Sequence, residues 1–191
     1  MKTQNLTAMS ILLALVIILQ LFATFIPMKP FNLNLTLIPI VVGAALYGKK
    51  SGALLGFAFA FVVMITYITG SAAFGHILWQ ASPVMITVIT LFRGAATGFC
   101  AGAVYDLFKQ KSNYFAGIIS AIVAPIVNTG IYCLAMIFVF NDILSAKAGG
   151  ANAIYFLIFG MVGVNFLIEL AINTLLSPAI VRIIGVRQKK L

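Results

Sequence analysis

Long apolar segments, separated by short breaks of glycine, proline and charged residues, make up most of the chain. The apolar segments cover about residues 5–26, 34–47, 52–69, 80–108, 114–140 and 153–184. A helix needs roughly 20 apolar residues to cross a bilayer, and most of these segments reach that length. The pattern predicts an all-α integral membrane protein, a six-transmembrane-helix bundle that forms a single domain over residues 1–191.

The second segment is the shortest, and it contains Pro39. Its length falls below that of a full span. We expect it either to begin within the outer interface or to be shielded by neighbouring helices.

Composition agrees with lipid as the main solvent, because 63% of the 191 residues are hydrophobic and only 8% are charged. A soluble domain of this composition would have too little polar surface. The first segment follows Lys2 without a small-residue cleavage pattern behind it, so we interpret it as a retained helix rather than a signal peptide.

Basic residues at the segment ends predict the orientation. A cytoplasmic N-terminus leaves only Lys29 and Lys147 on the outer side. The basic residues then on the cytoplasmic side are Lys2, Lys49, Lys50, Lys109, Lys111, Arg182, Arg187, Lys189 and Lys190. The positive-inside rule therefore predicts that both termini are cytoplasmic. Loops 27–33, 70–79 and 141–152 would face outwards.

Several function classes find no support in these residues. The net charge of +9 comes without a basic-aromatic stripe or a phosphate-binding glycine loop, so we expect no nucleic-acid partner. The single histidine, His76, offers no set of metal ligands, and no cofactor is predicted. The acids Asp106, Asp142 and Glu169 are scattered, so no catalytic arrangement is indicated and we expect no enzymatic activity.

Arg93 and Glu169 are the ionisable residues near the centres of predicted spans. A charge at that depth is costly and needs a partner, which makes each a candidate substrate-binding residue. Arg93 would hold a substrate carboxylate, because a guanidinium matches a carboxylate with two hydrogen bonds. Glu169 would orient it. The alternative is a salt bridge between them that only joins two helices.

Asn128 is a third candidate for substrate binding. Pro125 should bend its helix and free a backbone carbonyl, and Asn128 follows with both donor and acceptor groups. A hydrogen bond between helices is the equal alternative. Asn165 ranks second, and Asn173 leans further towards packing.

The predicted outer loop 70–79 combines glycines with aromatic residues and could close over a ligand. We include His76 and Trp79 from it among the substrate-binding candidates. Trp79 also has the position of an interfacial anchor, which is the simpler interpretation for this residue.

Small residues at four-residue spacing predict close helix contacts. Gly94, Gly98 and Gly102 share one face of the fourth span, and Gly52 and Gly56 repeat the spacing in the third. Ser10 and Ala14 form a similar pair on the first span. They would either pack inside the bundle or present a smooth face to another membrane subunit.

The order of several short motifs along nearly the whole chain resembles the substrate-binding S components of energy-coupling factor (ECF) vitamin transporters. Ser10 to Ala14 is similar to that family's AxxxA coupling motif, with serine in place of the first alanine. The other matching positions are Leu37, Ile38 and Pro39 leading into 43–48, Arg93 and Gly94 leading into Ala101 and Gly102, and Asn165 through Asn173 to Ser177 and Pro178.

This resemblance implies a bacterial plasma-membrane protein that captures a vitamin with high affinity from outside. A transmembrane T component and two ATPase subunits would supply the energy, and the chain itself has no GxxxxGK[ST] motif. Ser10 and Ala14 would then couple it to the T component. One central arginine with Asn128 and few aromatics nearby suits a small aliphatic carboxylate, so pantothenate is the preferred vitamin and riboflavin the next.

Two other classes stay open at this point. Arg93 and Glu169 could form an ion-coupled relay in a stand-alone secondary transporter for a small organic acid. A purely structural membrane subunit is the remaining possibility. Dependence of uptake on separate ATPases distinguishes these classes.

Overall fold

The computed structural model describes residues 3–25 and 35–188, and within these ranges the chain is helical with no strand. Two helices precede the centre of the bundle: α1 (Thr3–Phe25) and α2 (Leu37–Tyr47). The remaining helices are α3 (Lys49–Ile68), α4 (Ala73–Ala81), α5 (Pro83–Phe108), α6 (Asn113–Phe138), α7 (Asn141–Ala148), α8 (Ala153–Tyr155) and α9 (Gly163–Gln188). A π-helical turn, Phe156–Val162, joins α8 to α9 without a break.

Five stretches in the described ranges are long and apolar enough to cross a membrane. They lie in α1, α3, α5, α6 and the continuous helix from α8 to α9. The all-α membrane fold that the hydrophobic pattern predicts is thereby confirmed. The count of six spans and the cytoplasmic position of the termini stay predictions.

The second predicted span, 34–47, corresponds to α2, which has 11 residues and a length of about 16 Å. Helices α1, α3, α5, α6 and α9 all pack against it, and most of its residues are buried. Pro39 lies in the first turn, where a proline removes no intrahelical hydrogen bond. Protein therefore surrounds this short helix, as the shielding interpretation expects.

Helices α3 and α5 cross antiparallel through their glycines. A Cβ atom at Gly56 would collide with the carbonyl oxygen of Gly94, and one at Gly52 would collide with that of Gly98. Gly102 lies against the backbone of Lys49 in the same seam. The predicted close helix contact is confirmed, and it fixes the position of α5 against α3.

Two predicted loops are partly helical. Residues 70–79 contain the start of α4, and residues 141–152 contain α7. Pro83 ends α4 and opens α5, because proline suits the first turn of a helix and disfavours helical geometry in the residue before it. In α7, Asp142 lies in the first turn and Lys147 in the last, which complements the helix dipole.

Basic residues gather at one end of the bundle. Lys49 contacts Gly102, which lies near the end of α5 and close to Lys109. Val181 packs on Gly117, and this contact brings the neighbouring Arg182 to the start of α6. Lys147 lies at the opposite end. Lys2, Lys29, Lys189, Lys190 and loop 27–33 lie outside the described residues, and so does the side chain of Arg187. Most of the described basic residues are therefore grouped at one end of the bundle, as the positive-inside prediction of the orientation assumes.

Candidate functional site

A cavity of about 360 Å³ opens in the half of the bundle that carries α4 and α7. This volume is within the range of about 300–1,000 Å³ that is usual for small-molecule sites. Five parts of the chain supply its walls: the end of α3, the turn into α4, the middle of α5, the middle of α6 and the π-helical turn with α9. The lining residues are Tyr67, Ala72, Ala73, Phe74, Gly75, Arg93, Asn128, Thr129, Tyr132, Met161, Val162, Asn165, Phe166 and Glu169.

Arg93 supplies the positive charge of this cavity. It lies on α5 next to Gly94, so the close contact of the α5 glycines with α3 fixes the position of Arg93 in the bundle. Its side chain is 9% exposed, and its Nε atom has no hydrogen-bond partner. The guanidinium carbon lies 5.3 Å from the centre of the Tyr132 ring, which is a cation–π geometry. Tyr132 therefore holds the guanidinium without occupying its donors.

Glu169 and Asn128 add two acceptors on other helices. Glu169 is 9% exposed and Asn128 is 6% exposed. Neither Oε1 of Glu169 nor Oδ1 of Asn128 has a hydrogen-bond partner. Leaving a buried polar atom unpaired costs about 1–3 kcal/mol. Such groups around one cavity indicate a polar ligand.

Arg93 and Glu169 do not form a salt bridge in the described part of the chain. The ion pair observed there joins Lys109 Nζ to Asp106 Oδ1 at 2.6 Å, outside the cavity. The alternative of a salt bridge that only joins two helices is therefore not observed among the described residues, and both side chains line the same cavity.

The turn into α4 forms part of the cavity wall. Ala72, Ala73, Phe74 and Gly75 line it, as expected for a segment that could close over a ligand. Lys147 of α7 lies with its Nζ 5.0 Å from the centre of the Phe74 ring. A cation–π contact therefore links α7 to this wall.

His76 does not line the cavity, and both of its ring nitrogens are engaged. Nδ1 lies 2.8 Å from the backbone oxygen of Tyr67, and Nε2 lies 3.0 Å from Nε2 of Gln80. A carbonyl oxygen can only accept, so Nδ1 carries the proton and Nε2 accepts from the Gln80 amide. His76 thus fastens α4 to the end of α3, beside the lining residue Tyr67.

Trp79 is half-buried and also does not line the cavity. It packs against an apolar cluster that includes Met64, Leu78 and Ile86. Trp79 therefore serves in helix packing here, and its role as an interfacial anchor stays a prediction.

The π-helical turn supplies part of the cavity wall. Met161 and Val162 of this turn line the cavity, and a side chain at Gly163 would collide with the carbonyl oxygen of Ile158. Asn165 follows on the same wall, whereas Asn173 donates to the backbone oxygen of Glu169 at 2.8 Å and lies outside the cavity. Asn165 therefore belongs to the candidate site, and Asn173 to the packing of α9.

Sequence reasoning missed most of the aromatic part of the wall. The expectation of few aromatics near Arg93 is wrong, because Tyr67, Phe74, Tyr132 and Phe166 all line the cavity. The helical periodicity of α6 could have identified Tyr132, because it lies four residues after Asn128 and therefore on the same face of the helix. Phe74 lies in the outer loop 70–79, whose aromatic residues were predicted to close over a ligand, whereas Tyr67 at the end of α3 carries no such signal.

Comparison with known proteins gives the family. A family profile described as the substrate-specific component of ECF transporters matches residues 4–181. The chain belongs to this family. The pantothenic acid transporter PanT of Lactococcus lactis subsp. cremoris (strain MG1363) is 23% identical over 195 residues, which cover 94% of this chain and 93% of that protein. No solved structure matches the chain.

As a substrate-specific component, the protein is a multi-pass protein of the plasma membrane, and the family places it among transporters rather than enzymes. The resemblance inferred from the short motifs is confirmed over nearly the whole chain.

Ser10 and Ala14 lie on the outward face of α1. Both residues are exposed, whereas Met9 and Val16 of the same helix are buried against the bundle. The Ser10 hydroxyl donates to the backbone oxygen of Leu6, within its own helix, at 3.0 Å. Ser10 and Ala14 are therefore not packed inside the bundle but lie on its surface.

Proposed function

We propose that the protein captures pantothenate with high affinity from the outer side of the membrane and delivers it together with an ATP-driven ECF module. One observation carries the proposal: the buried guanidinium of Arg93 faces a ligand-sized cavity with an unpaired donor. A buried arginine strongly favours an anionic partner, and a carboxylate accepts two of its N–H groups side by side. The Arg93–carboxylate contact is thus the proposed anchor.

The chemistry of pantothenate suits the rest of the cavity. Its geminal methyl groups would pack against apolar wall residues such as Met161 and Val162, and its hydroxyl and amide groups would meet Asn128 and Glu169. The similarity to a pantothenic acid transporter supports this choice. Riboflavin fits less well, because it has no carboxylate for Arg93, although the aromatic wall would accept its ring.

The proposed entrance lies at the end that carries α4 and α7. That end bears Lys147, whereas Lys49, Lys109 and Arg182 lie at the opposite end. In the orientation that the positive-inside rule favours, the cavity opens outwards and both termini are cytoplasmic. Residues Ala72 to Gly75 would close over the bound vitamin, with His76 holding α4 in place and Trp79 anchoring it at the interface.

Coupling to the module would use the outward face of α1. Small exposed residues such as Ser10 and Ala14 let another membrane helix approach closely. The proposed partners are a transmembrane T component and two ATPase subunits. Binding and coupling would then be separate functions on different faces of the bundle.

Replacing Ala14 with leucine should therefore abolish most ATP-driven uptake and leave vitamin binding unchanged. The larger side chain would separate α1 from the partner helix, and Ala14 lies outside the cavity. Uptake of labelled pantothenate into proteoliposomes that contain the complete module measures the effect. Ala171→Leu, at an exposed alanine of α9, is the matched control. Equal uptake by both variants would argue against coupling through α1.

The same proteoliposomes test the energy source. We expect pantothenate uptake only when the T component, both ATPases and ATP are present, with no response to an ion gradient. Uptake by the isolated protein under a proton or sodium gradient would instead support the ion-coupled secondary transporter. The charges of Arg93 and Glu169 would then belong to a relay.

A further inference from the structure

We propose that Glu169 makes the cavity selective for acids that also carry a hydroxyl group at the end remote from the carboxylate. This inference rests on the proposed function and deepens it. Arg93 binds the anionic end of the ligand, and Glu169 requires a hydrogen-bond donor at the other end. Glu169 is thus a specificity-determining residue rather than an orienting partner of Arg93.

The unpaired atoms of the cavity set this requirement. Arg93 Nε is a donor, whereas Glu169 Oε1 and Asn128 Oδ1 are acceptors, and each of these buried atoms lacks a partner. A ligand with only a carboxylate could satisfy Arg93 alone. It would leave Glu169 Oε1 and Asn128 Oδ1 unpaired, and each unpaired buried acceptor makes the free energy of binding less favourable. A ligand with an acid at one end and donors at the other satisfies all three.

The protein does not supply the missing donor within its described part. Asn173 is a near neighbour in sequence, but its Nδ2 donates to the backbone oxygen of Glu169 rather than to the carboxylate. The Thr97 hydroxyl, one turn after Arg93, donates to the backbone oxygen of Arg93 at 2.8 Å. The ligand is therefore the group that can satisfy Glu169 Oε1.

Charge also fixes the direction of binding. A ligand carboxylate is attracted by Arg93 and repelled by Glu169, and both effects are strong in a buried site. The carboxylate would point to Arg93 and the hydroxyl groups to Glu169. The ring of Tyr132, which lies against the guanidinium, keeps Arg93 in place for this arrangement.

A pair of ligands tests the requirement directly. Pantothenate carries two hydroxyl groups on its acyl part, and N-(3,3-dimethylbutanoyl)-β-alanine is the same molecule without them. Calorimetric titration of the purified full-length protein gives the affinity for each ligand. We expect the wild-type protein to bind the analogue at least about tenfold more weakly, the loss that corresponds to one hydrogen bond with a charged acceptor.

Substitutions at Glu169 should reduce this discrimination in a graded way. Glu169→Gln keeps a neutral acceptor, so the ratio of the two affinities should fall by about threefold or more. Glu169→Met keeps the length but no acceptor, so the ratio should approach one. Asp106→Asn makes the same acid-to-amide change outside the cavity and should keep the wild-type ratio. If Glu169→Met does not fold, Glu169→Gln alone decides.

The outcomes separate the two proposals. Pantothenate binding with the same discrimination in wild type and Glu169→Gln, or with none in wild type, would overturn the role of Glu169 and leave the proposed function standing. Absence of binding of both ligands to the wild-type protein would overturn both.

Discussion

Replacing Arg93 with alanine is expected to weaken pantothenate binding by at least about tenfold, since a hydrogen bond with a charged group contributes about 1.5–3 kcal/mol. The loss would be specific for the carboxylate, because Arg93 is the arginine that lines the cavity. Pantothenol, in which the carboxylate is reduced to a primary alcohol, should therefore bind the variant and the wild type about equally. Calorimetric titration of both ligands measures the two effects.

Arg182→Ala provides the matched control for this prediction. Arg182 is exposed at the opposite end of the bundle, so its removal should leave both affinities unchanged. Arg93→Lys adds a chemical test, because lysine keeps the charge but not the paired N–H groups. It should recover part of the pantothenate affinity. An unchanged affinity in folded Arg93→Ala protein would reduce Arg93 to a structural residue.

Adding a single methyl group at Gly56 should destabilise the whole bundle. The new Cβ would overlap the carbonyl oxygen of Gly94, which is backbone and cannot move aside without a shift of α5. Overpacking of this kind costs about 1–3 kcal/mol. We expect Gly56→Ala to fall at the upper end of that range and to lower the thermal midpoint of the detergent-purified protein.

Gly130→Ala separates this clash from the general effect of the substitution. A Cβ at Gly130 of α6 would meet nothing within 4 Å. Alanine is favoured over glycine in a helix by about 1 kcal/mol, so this variant should be equally or more stable than the wild type. Equal midpoints for Gly56→Ala and Gly130→Ala would contradict the close seam.

Much of the fold was predictable from hydropathy and glycine spacing. The apolar segments 114–140 and 153–184 correspond to α6 and to the continuous helix that ends in α9. The four-residue spacing of glycines in the third and fourth spans predicted the close contacts that α3 and α5 make, although the pairing of Gly56 with Gly94 comes from the structure. These features depend on neighbours along one helix, so periodicity reports them. The helices inside the outer loops were missed, because α4 and α7 are too short for the span pattern to reveal.

The polar centre of the site was predictable for a different reason. Charged and amide groups are so costly in a membrane that Arg93, Glu169 and Asn128 stood out as candidates, and the structure brings them to one cavity. Most of the aromatic wall was not predictable, because tyrosine and phenylalanine are common in membrane helices. Phe74 is the exception, since it lies in the loop 70–79 that was expected to close over a ligand. His76 was selected with Trp79 from the outer loop 70–79, but its hydrogen bonds serve the α3–α4 turn.

Native mass spectrometry of the detergent-purified protein tests the capture of an acidic vitamin most directly. The protein should carry, or take up from a vitamin panel, a ligand with the mass of pantothenate, and the adduct should be lost in Arg93→Ala but not in Arg182→Ala. A riboflavin adduct would keep the family and contradict the carboxylate anchor. Protein that stays empty with every added vitamin would contradict the proposed capture function.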